Sequence, residues 1–395
     1  MANQEKEQRN VLTEVAGLFL RLGFTAFGGP AAHIAMMRRE IVERRQWVSD
    51  ERFLDLLGII NLIPGPNSTE LAIYLGYLRA GWPGLIIGGI CFIGPAMLIV
   101  LALAWLYVRY GSLPQAGWLF YGIKPVVIAI IAQALWGLSR KVLKGAIPII
   151  LALLVMACYL LGVNGLALLV AAGILFALIR WFQHQRKEKT LATVLPFSVG
   201  GLRQWWHLLV TTPSSLVLTA VPVSVPVLFL TFLKIGAILY GSGYVLLAFL
   251  RSDFVQGLGW LTDKQLLDAV AVGQFTPGPV FTTATFVGYL VASWQGALVA
   301  TLAIFLPSFV FIAIIHPLAA TLRRSPWTSA ILDGVNIAAL ALMGGVMLQL
   351  GQSALIDPLT WLMALVAFVI LLRFQLNSAW LILAGAFVGV LRFWL

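Results

Sequence analysis

Two decapeptides hold most of the residues that could do chemistry: Asn61-Leu62-Ile63-Pro64-Gly65-Pro66-Asn67-Ser68-Thr69-Glu70 and Gln274-Phe275-Thr276-Pro277-Gly278-Pro279-Val280-Phe281-Thr282-Thr283. Each sets Pro-Gly-Pro inside an apolar run that otherwise reads as helix. Proline removes a backbone donor and clashes with the preceding turn, and glycine accepts positive φ, so the helix has to break there. The piece that starts after the break exposes N–H groups without intrahelical partners. Together with the positive end of the helix dipole, these favour an anion. Asn67, Ser68 and Thr69 in the first copy, and Thr282 and Thr283 in the second, add amide and hydroxyl donors that suit the acceptor-only oxygens of a tetrahedral oxyanion. Asn61, Pro64, Gly65 and Pro66, with Gln274, Pro277, Gly278 and Pro279, would shape the two turns. The same residue types also serve as ordinary N-caps, which leaves a purely local reading open.

Charged residues in apolar surroundings extend this set. Arg21 and Lys234 each stand two residues before a glycine, Gly23 and Gly236. A cation inside an apolar segment costs about 2.5–3.5 kcal/mol on insertion scales, so it needs a partner or a task. One reading pairs the two cations against a dianion; the other lets them snorkel from helix ends. Lys124, in Tyr121-Gly122-Ile123-Lys124-Pro125, is a third cation, and Asn336 takes its place in the second copy. Asp55 and Asp268 each lie six residues past a Ser or Thr that reads as an N-cap, Ser49 or Thr262. They suit either a salt bridge to Arg21 or Lys234 that opens when an anion enters, or proton coupling, or a fixed structural pair. Glu70 has Thr283 as its counterpart; a lone carboxylate beside an anion site is a candidate proton carrier. His33 and His316 have no counterparts and read as incidental.

The elements that position these residues follow from composition and repetition. Of the 395 residues 61% are hydrophobic and 10% charged, and the mean hydropathy is +0.95. This is an all-α polytopic membrane protein. The net charge of +11 is attributed to lysine and arginine held in cytoplasmic loops rather than to a nucleic-acid partner. Cys91 and Cys158 form neither a CxxC pair nor a zinc constellation, and no cofactor motif is present.

At an offset of 213, Phe19, Gly23, Gly28, Trp47, Asp50, Asp55 and Pro64-Gly65-Pro66 fall on Phe232, Gly236, Gly241, Trp260, Asp263, Asp268 and Pro277-Gly278-Pro279. At 212, Gly76-Tyr77-Leu78, Trp82, Pro95 and Gly122 fall on Gly288-Tyr289-Leu290, Trp294, Pro307 and Gly334. This is an internal duplication of residues 19–137 as 232–349. The chain is divided into an N-terminal domain, 1–182, a basic cytoplasmic linker, 183–213, and a C-terminal domain, 214–395.

Arginines in the loop Met36–Arg52 and the Arg140–Lys144 group both mark the cytoplasmic side. Residues 11–37 and 50–79 are therefore expected to return to the side they left as re-entrant hairpins, turned at Gly28-Gly29-Pro30 and at Pro64-Gly65-Pro66. Loop charge leans towards an inverted second half without deciding it. Matching broken helices in two halves point to a transporter's binding site.

Taken together, Phe19–Pro30 (FLRLGFTAFGGP), Trp47–Asp55 (WVSDERFLD), Asn61–Glu70 (NLIPGPNSTE), Gly76–Trp82 (GYLRAGW), Lys234–Gly243 (KIGAILYGSG) and Gly273–Pro279 (GQFTPGP) resemble the chromate ion transporter family in its long, two-domain form. The resemblance implies chromate efflux across a prokaryotic cytoplasmic membrane, driven by the membrane potential or a proton gradient. It also implies two domains of opposite orientation, lipid and oxyanion as partners, and no enzymatic step. Ser242-Gly243 stands where the first copy has Gly29-Pro30, so the two first hairpins need not share one geometry. Sulfate or another oxyanion remains an alternative cargo. An enzyme acting on lipid phosphates is the rival class, and it would need an acidic metal cluster that the sequence lacks. The oligomeric state stays open, a homodimer included.

Overall fold

The computed structural model describes residues 2–61, 63–111, 113–188, 222–240, 243–322, 326–374 and 376–394. The expected turn residue Gly241 and residues 189–213 of the linker lie outside these. Among the described residues there is no strand. Five of the described helices are long and apolar enough to cross a membrane.

The first half runs α1 (Ala2–Thr25), α2 (Gly29–Arg38), a π-helical turn (Arg39–Arg44), α3 (Asp50–Ile60), α4 (Asn67–Tyr110), α5 (Pro114–Val142), α6 (Ala146–Leu160) and α7 (Gly165–Glu188). The second runs α8 (Val225–Ile238), α9 (Leu246–Leu250) with another π-helical turn (Arg251–Gly257), α10 (Asp263–Phe275), α11 (Thr283–Leu322), α12 (Pro326–Ala354), α13 (Pro358–Phe374) and α14 (Ser378–Trp394). α4 breaks at Ala80-Gly81, where Gly81 has φ 64°. α11 breaks at the equivalent Ala292-Ser293, where Ser293 has φ 55° despite its Cβ.

Both expected hairpins form in the first half. The Glu14 carboxylate on α1 accepts hydrogen bonds from Arg45 (2.8 Å), from Trp47 Nε1 (3.2 Å) and from Arg79 (2.9 Å). One acid thus ties the start of the first hairpin, the loop between the hairpins and the end of the second. Measured from Glu14 to Arg79, the arms Glu14–Thr25, Gly29–Arg38, Asp50–Ile60 and Asn67–Arg79 are 10–13 residues long, about 15–20 Å, roughly half of a ~30 Å hydrocarbon core.

The halves are inverted. Past its kink, α4 continues for about 43 Å. The loop that follows the first half's α2 lies at its Arg79 end, through Glu14. The equivalent region of the second half lies at its other end, where Tyr107 donates to Asp268 on α10 (2.9 Å). A loop and its repeat at opposite ends of one membrane-crossing helix fix the orientation that loop charge left open.

The halves are also interlocked. α5 packs against α13 and α14, and α12 against α6 and α7, while α4 packs on α11. At the first crossing a Cβ on Gly122 would lie 1.9 Å from Gly385 O; at the second, one on Gly334 would lie 2.5 Å from Ala172 O and 2.8 Å from Gly173 Cα. Gly122 and Gly334 are 212 residues apart, as are Gly173 and Gly385, so the two crossings are copies of each other. Side chains this small let membrane helices touch through their backbones.

Candidate functional site at the hairpin tips

The breaks fall where the proline and glycine chemistry puts them. Gly28 and Gly29 have φ 102° and 77°, Gly65 has φ 140° and Gly278 φ 88°, all in the region that favours glycine. The four broken ends meet. Gly278 N–H, in the second copy's turn, donates to Ala26 O at the end of α1 (2.8 Å). The Tyr240 hydroxyl, just past α8, donates to Asn61 O at the end of α3. Each turn also presses on the other half's long helix at equivalent places. A Cβ on Gly65 would lie 3.0 Å from Ser308 Oγ, and one on Gly278 2.7 Å from Ala96 Cβ; positions 96 and 308 are again 212 apart.

The two tips differ in what their polar groups do. In the second copy, the Thr282 hydroxyl donates to Pro279 O (2.7 Å) and that of Thr283 to Val280 O (2.8 Å), so both are spent on their own backbone. Gln274 is buried. In the first copy the residue that caps α4 is Pro66, with no side-chain cap, so Ser68 and Thr69 are not N-caps. Thr69 Oγ1 is buried without a hydrogen-bond partner. Ser68 Oγ lies 3.3 Å from His33 Nδ1, and His33 Nε2 lies 3.0 Å from Ala26 O. A carbonyl can only accept, so Nε2 carries the proton and Nδ1 accepts from Ser68. His33, which the sequence reading set aside, therefore joins the two hairpins. The Asn67 amide donates to Asn61 Oδ1 (2.6 Å). The Glu70 carboxylate is fully buried against Gly65 and takes a 3.4 Å hydrogen bond from Ser308, and its Oε2 has no partner.

The cations are arranged differently from the sequence expectation. Arg21 pairs with Glu40 at the π-helical turn, and Arg44 reaches the same carboxylate oxygen (2.7 Å). Lys234 pairs with Asp253 (2.8 Å). Glu40 and Asp253 are 213 residues apart, so each cation has the same acid of its own half, 19 positions on. Asp268 takes Lys124 (3.0 Å) and not Lys234. A second repeated pair, Arg38–Asp50 and Arg251–Asp263, both 2.7 Å, spans the loop in each half. Arg21 and Lys234 thus sit along the outer stretches of their hairpins, while the tips carry hydroxyls, amides and one carboxylate. Asp55 is partly buried on α3. Among the described residues no cluster of acids, histidines and cysteines could hold a metal ion.

With this geometry in place, the comparisons with known proteins decide the family. The family described as "Chromate transporter" matches twice, over residues 13–179 and 227–390. The chain belongs to the chromate transporter family. It is 36% identical to a "Chromate transport protein" of Cupriavidus metallidurans over 381 residues, covering 95% of this chain and 91% of that one. It is 34% identical to a "Probable chromate transport protein" of Synechococcus elongatus, over 97% of this chain and 96% of that one. Against a "Chromate transport protein" of Pseudomonas aeruginosa the identity is 31%, over 95% and 91%. No solved structure matches. A chromate-transporter-family chain with several long apolar helices is a multi-pass membrane protein, and its named relatives are transport proteins.

Proposed function

We propose that this protein is a secondary transporter that carries chromate outward across the cytoplasmic membrane, with the oxyanion held among the four hairpin tips. The observation that supports this most is that the broken end at each Pro-Gly-Pro turn meets the other half's broken first hairpin, beside a buried, unpartnered Thr69 hydroxyl and the start of α4, which has no side-chain cap. Inside a bilayer, broken backbone persists only where it meets protein, water or ligand. Asn67, Ser68 and Thr69 supply donors, with Thr282 and Thr283 lining the opposite turn. Arg21 and Lys234, one per half, draw the dianion along the hairpins, and Lys124 adds a third cation. Exit of a dianion is downhill when the cytoplasm is negative, by about 2.3 kcal/mol per charge per 100 mV. Where protons contribute, Glu70, Asp55 and Asp268 are the carboxylates placed to carry them.

The test is uptake of labelled chromate into inverted vesicles energised with an inside-positive potential, with sulfate as competitor. Saturable accumulation that collapses with the potential is the expected result. Flux that does not saturate with chromate would make the protein a channel. Stronger competition by sulfate than by unlabelled chromate would make it a sulfate carrier.

A further inference from the structure

Away from the tips, a cavity of about 400 Å³ opens between the end of α4, α5, the start of α10 and the end of α12. Its polar lining is Lys124, Lys264, Asp268, Tyr107, Tyr121 and Ser353. Lys124 and Asp268 are 9% and 1% exposed, so the charges at its floor are buried. The Tyr121 hydroxyl is engaged outside the group, by Asp357 (2.6 Å). Asp268 lies nine residues before Pro277, about 13 Å along α10 from the second turn. The chamber thus lies on the second half's side of the tips, about one α10 length from the second turn.

The repeat shows that this charge pattern is not inherited symmetry. The counterparts of Lys124, Lys264 and Asp268 are Asn336, Glu51 and Asp55. The mirror position has the acid but neither cation. With Asp268 the two lysines leave the chamber one net positive charge, and the carboxylate on Lys124 has the same donor preference as an oxyanion.

We propose that this chamber is a second anion station, and that Asp268 is a built-in stand-in for the anion, occupying Lys124 until the oxyanion replaces it. The station rests on the transport reading and adds to it a resting place between the tips and the bulk. Lys124 and Lys264 hold the dianion there, and Tyr107 keeps the displaced Asp268 carboxylate hydrogen-bonded. Relaxation of Asp268 back onto Lys124 then expels the anion.

The experiment is equilibrium dialysis of the purified full-length protein in detergent against labelled chromate and labelled sulfate, with thermal melting followed on each variant. Wild type should bind two equivalents. Lys124→Asn, which installs the second copy's residue, should bind one, and Thr69→Val should lose the other. Asp268→Asn leaves Lys124 as an unpaired buried charge and should tighten one of the two equivalents about tenfold or more while slowing vesicle transport. If Lys124→Asn melts early, Lys264→Gln, on the exposed side of the chamber, should still weaken that equivalent at least about threefold. One wild-type equivalent that is lost in Thr69→Val but unchanged in Lys124→Asn and Lys264→Gln would overturn the station and leave the transport reading intact. No binding at any position, with no energised uptake, would overturn both.

Discussion

Gly65→Ala is the substitution that most directly tests the packing at the tips. Two separate effects act on it. The residue has φ 140°, so any side chain there is strained, and a Cβ would lie 2.2 Å from Glu70 Oε1 and 3.0 Å from Ser308 Oγ. The Glu70 carboxylate would have to leave its place and give up the Ser308 hydrogen bond. Backbone strain, overpacking and the lost bond together cost about 3–7 kcal/mol. Gly81→Ala separates the two effects. Gly81 also has positive φ, at 64°, but a Cβ there meets nothing within 4 Å. Ser293, with φ 55° and ψ −153°, adopts nearly the same backbone in the second copy with a side chain attached. Gly81→Ala should therefore cost only about 1–2 kcal/mol.

The assay is thermal melting in detergent together with vesicle uptake of chromate. Gly65→Ala should melt well below Gly81→Ala and lose transport, whereas Gly81→Ala stays near wild type in both. Adding Glu70→Ala vacates the space the new methyl needs. Gly65→Ala/Glu70→Ala should then melt above Gly65→Ala, although it has lost a second native side chain. Equal melting of Gly65→Ala and Gly81→Ala, or no recovery in the double variant, would refute the contact between the turn and the buried carboxylate.

Two further outcomes follow from the same contacts. Gly122→Ala and Gly334→Ala each force backbone against backbone at one of the two equivalent crossings, and each should lower stability by about 1–3 kcal/mol or more; Gly117→Ala on α5, where a Cβ meets nothing within 4 Å, is the control that should melt like wild type in the same detergent assay. Glu40 carries a pH dependence: burial pushes its carboxyl up, but the hydrogen bond and charge of Arg21, with Arg44, outweigh this and leave it below its ordinary 4.5. A depressed folded value stabilises the protein above the unfolded value and is lost as pH falls through the folded one, so wild type should lose more melting temperature than Glu40→Gln between about pH 6 and pH 4.

Much of this architecture was legible in the sequence because its signals are local and repeated. Pro-Gly-Pro cannot continue a helix, so both turns appear where the residues put them. Arginine in the loop Met36–Arg52 marks one side of the membrane, so the return of both hairpins followed. The partners of Arg21 and Lys234 were missed, although Glu40 and Asp253 follow them at the same distance in both copies; reading the duplication for acids as well as cations would have found the pairs. The kink at Ser293 was not legible, since the residue is neither glycine nor proline; the kink at Gly81, with Pro83 two residues on, carried a local breaker signal that the sequence reading did not use. The glycine crossings were missed because the duplication was traced only to residues 137 and 349, and Gly173 and Gly385 lie beyond it.

Those crossings constrain how such a molecule can change shape. α5 of the first half is clasped by α13 and α14 of the second, and α12 of the second by α6 and α7 of the first. Swinging one half as a rigid body against the other would part Gly122 from Gly385 and Gly334 from Gly173 together, and a glycine-lined contact has no long side chain to follow the movement. The hairpin arms α1 and α8 also pack closely on α4 and α11, where Cβ atoms on Gly23 and Gly236 would meet Phe92 O and Ile304 O, and polar contacts lie on either side of that packing. The outer stretches of the hairpins carry ion pairs, Arg21–Glu40 and Lys234–Asp253, that are partly exposed, and such pairs contribute only about 0.2–1 kcal/mol each. Their tips meet through single hydrogen bonds, Gly278 to Ala26 and Tyr240 to Asn61. Between the two halves, the joints at the broken backbone are therefore a few hydrogen bonds and turn contacts, and the glycine crossings are what keep the halves in register around it.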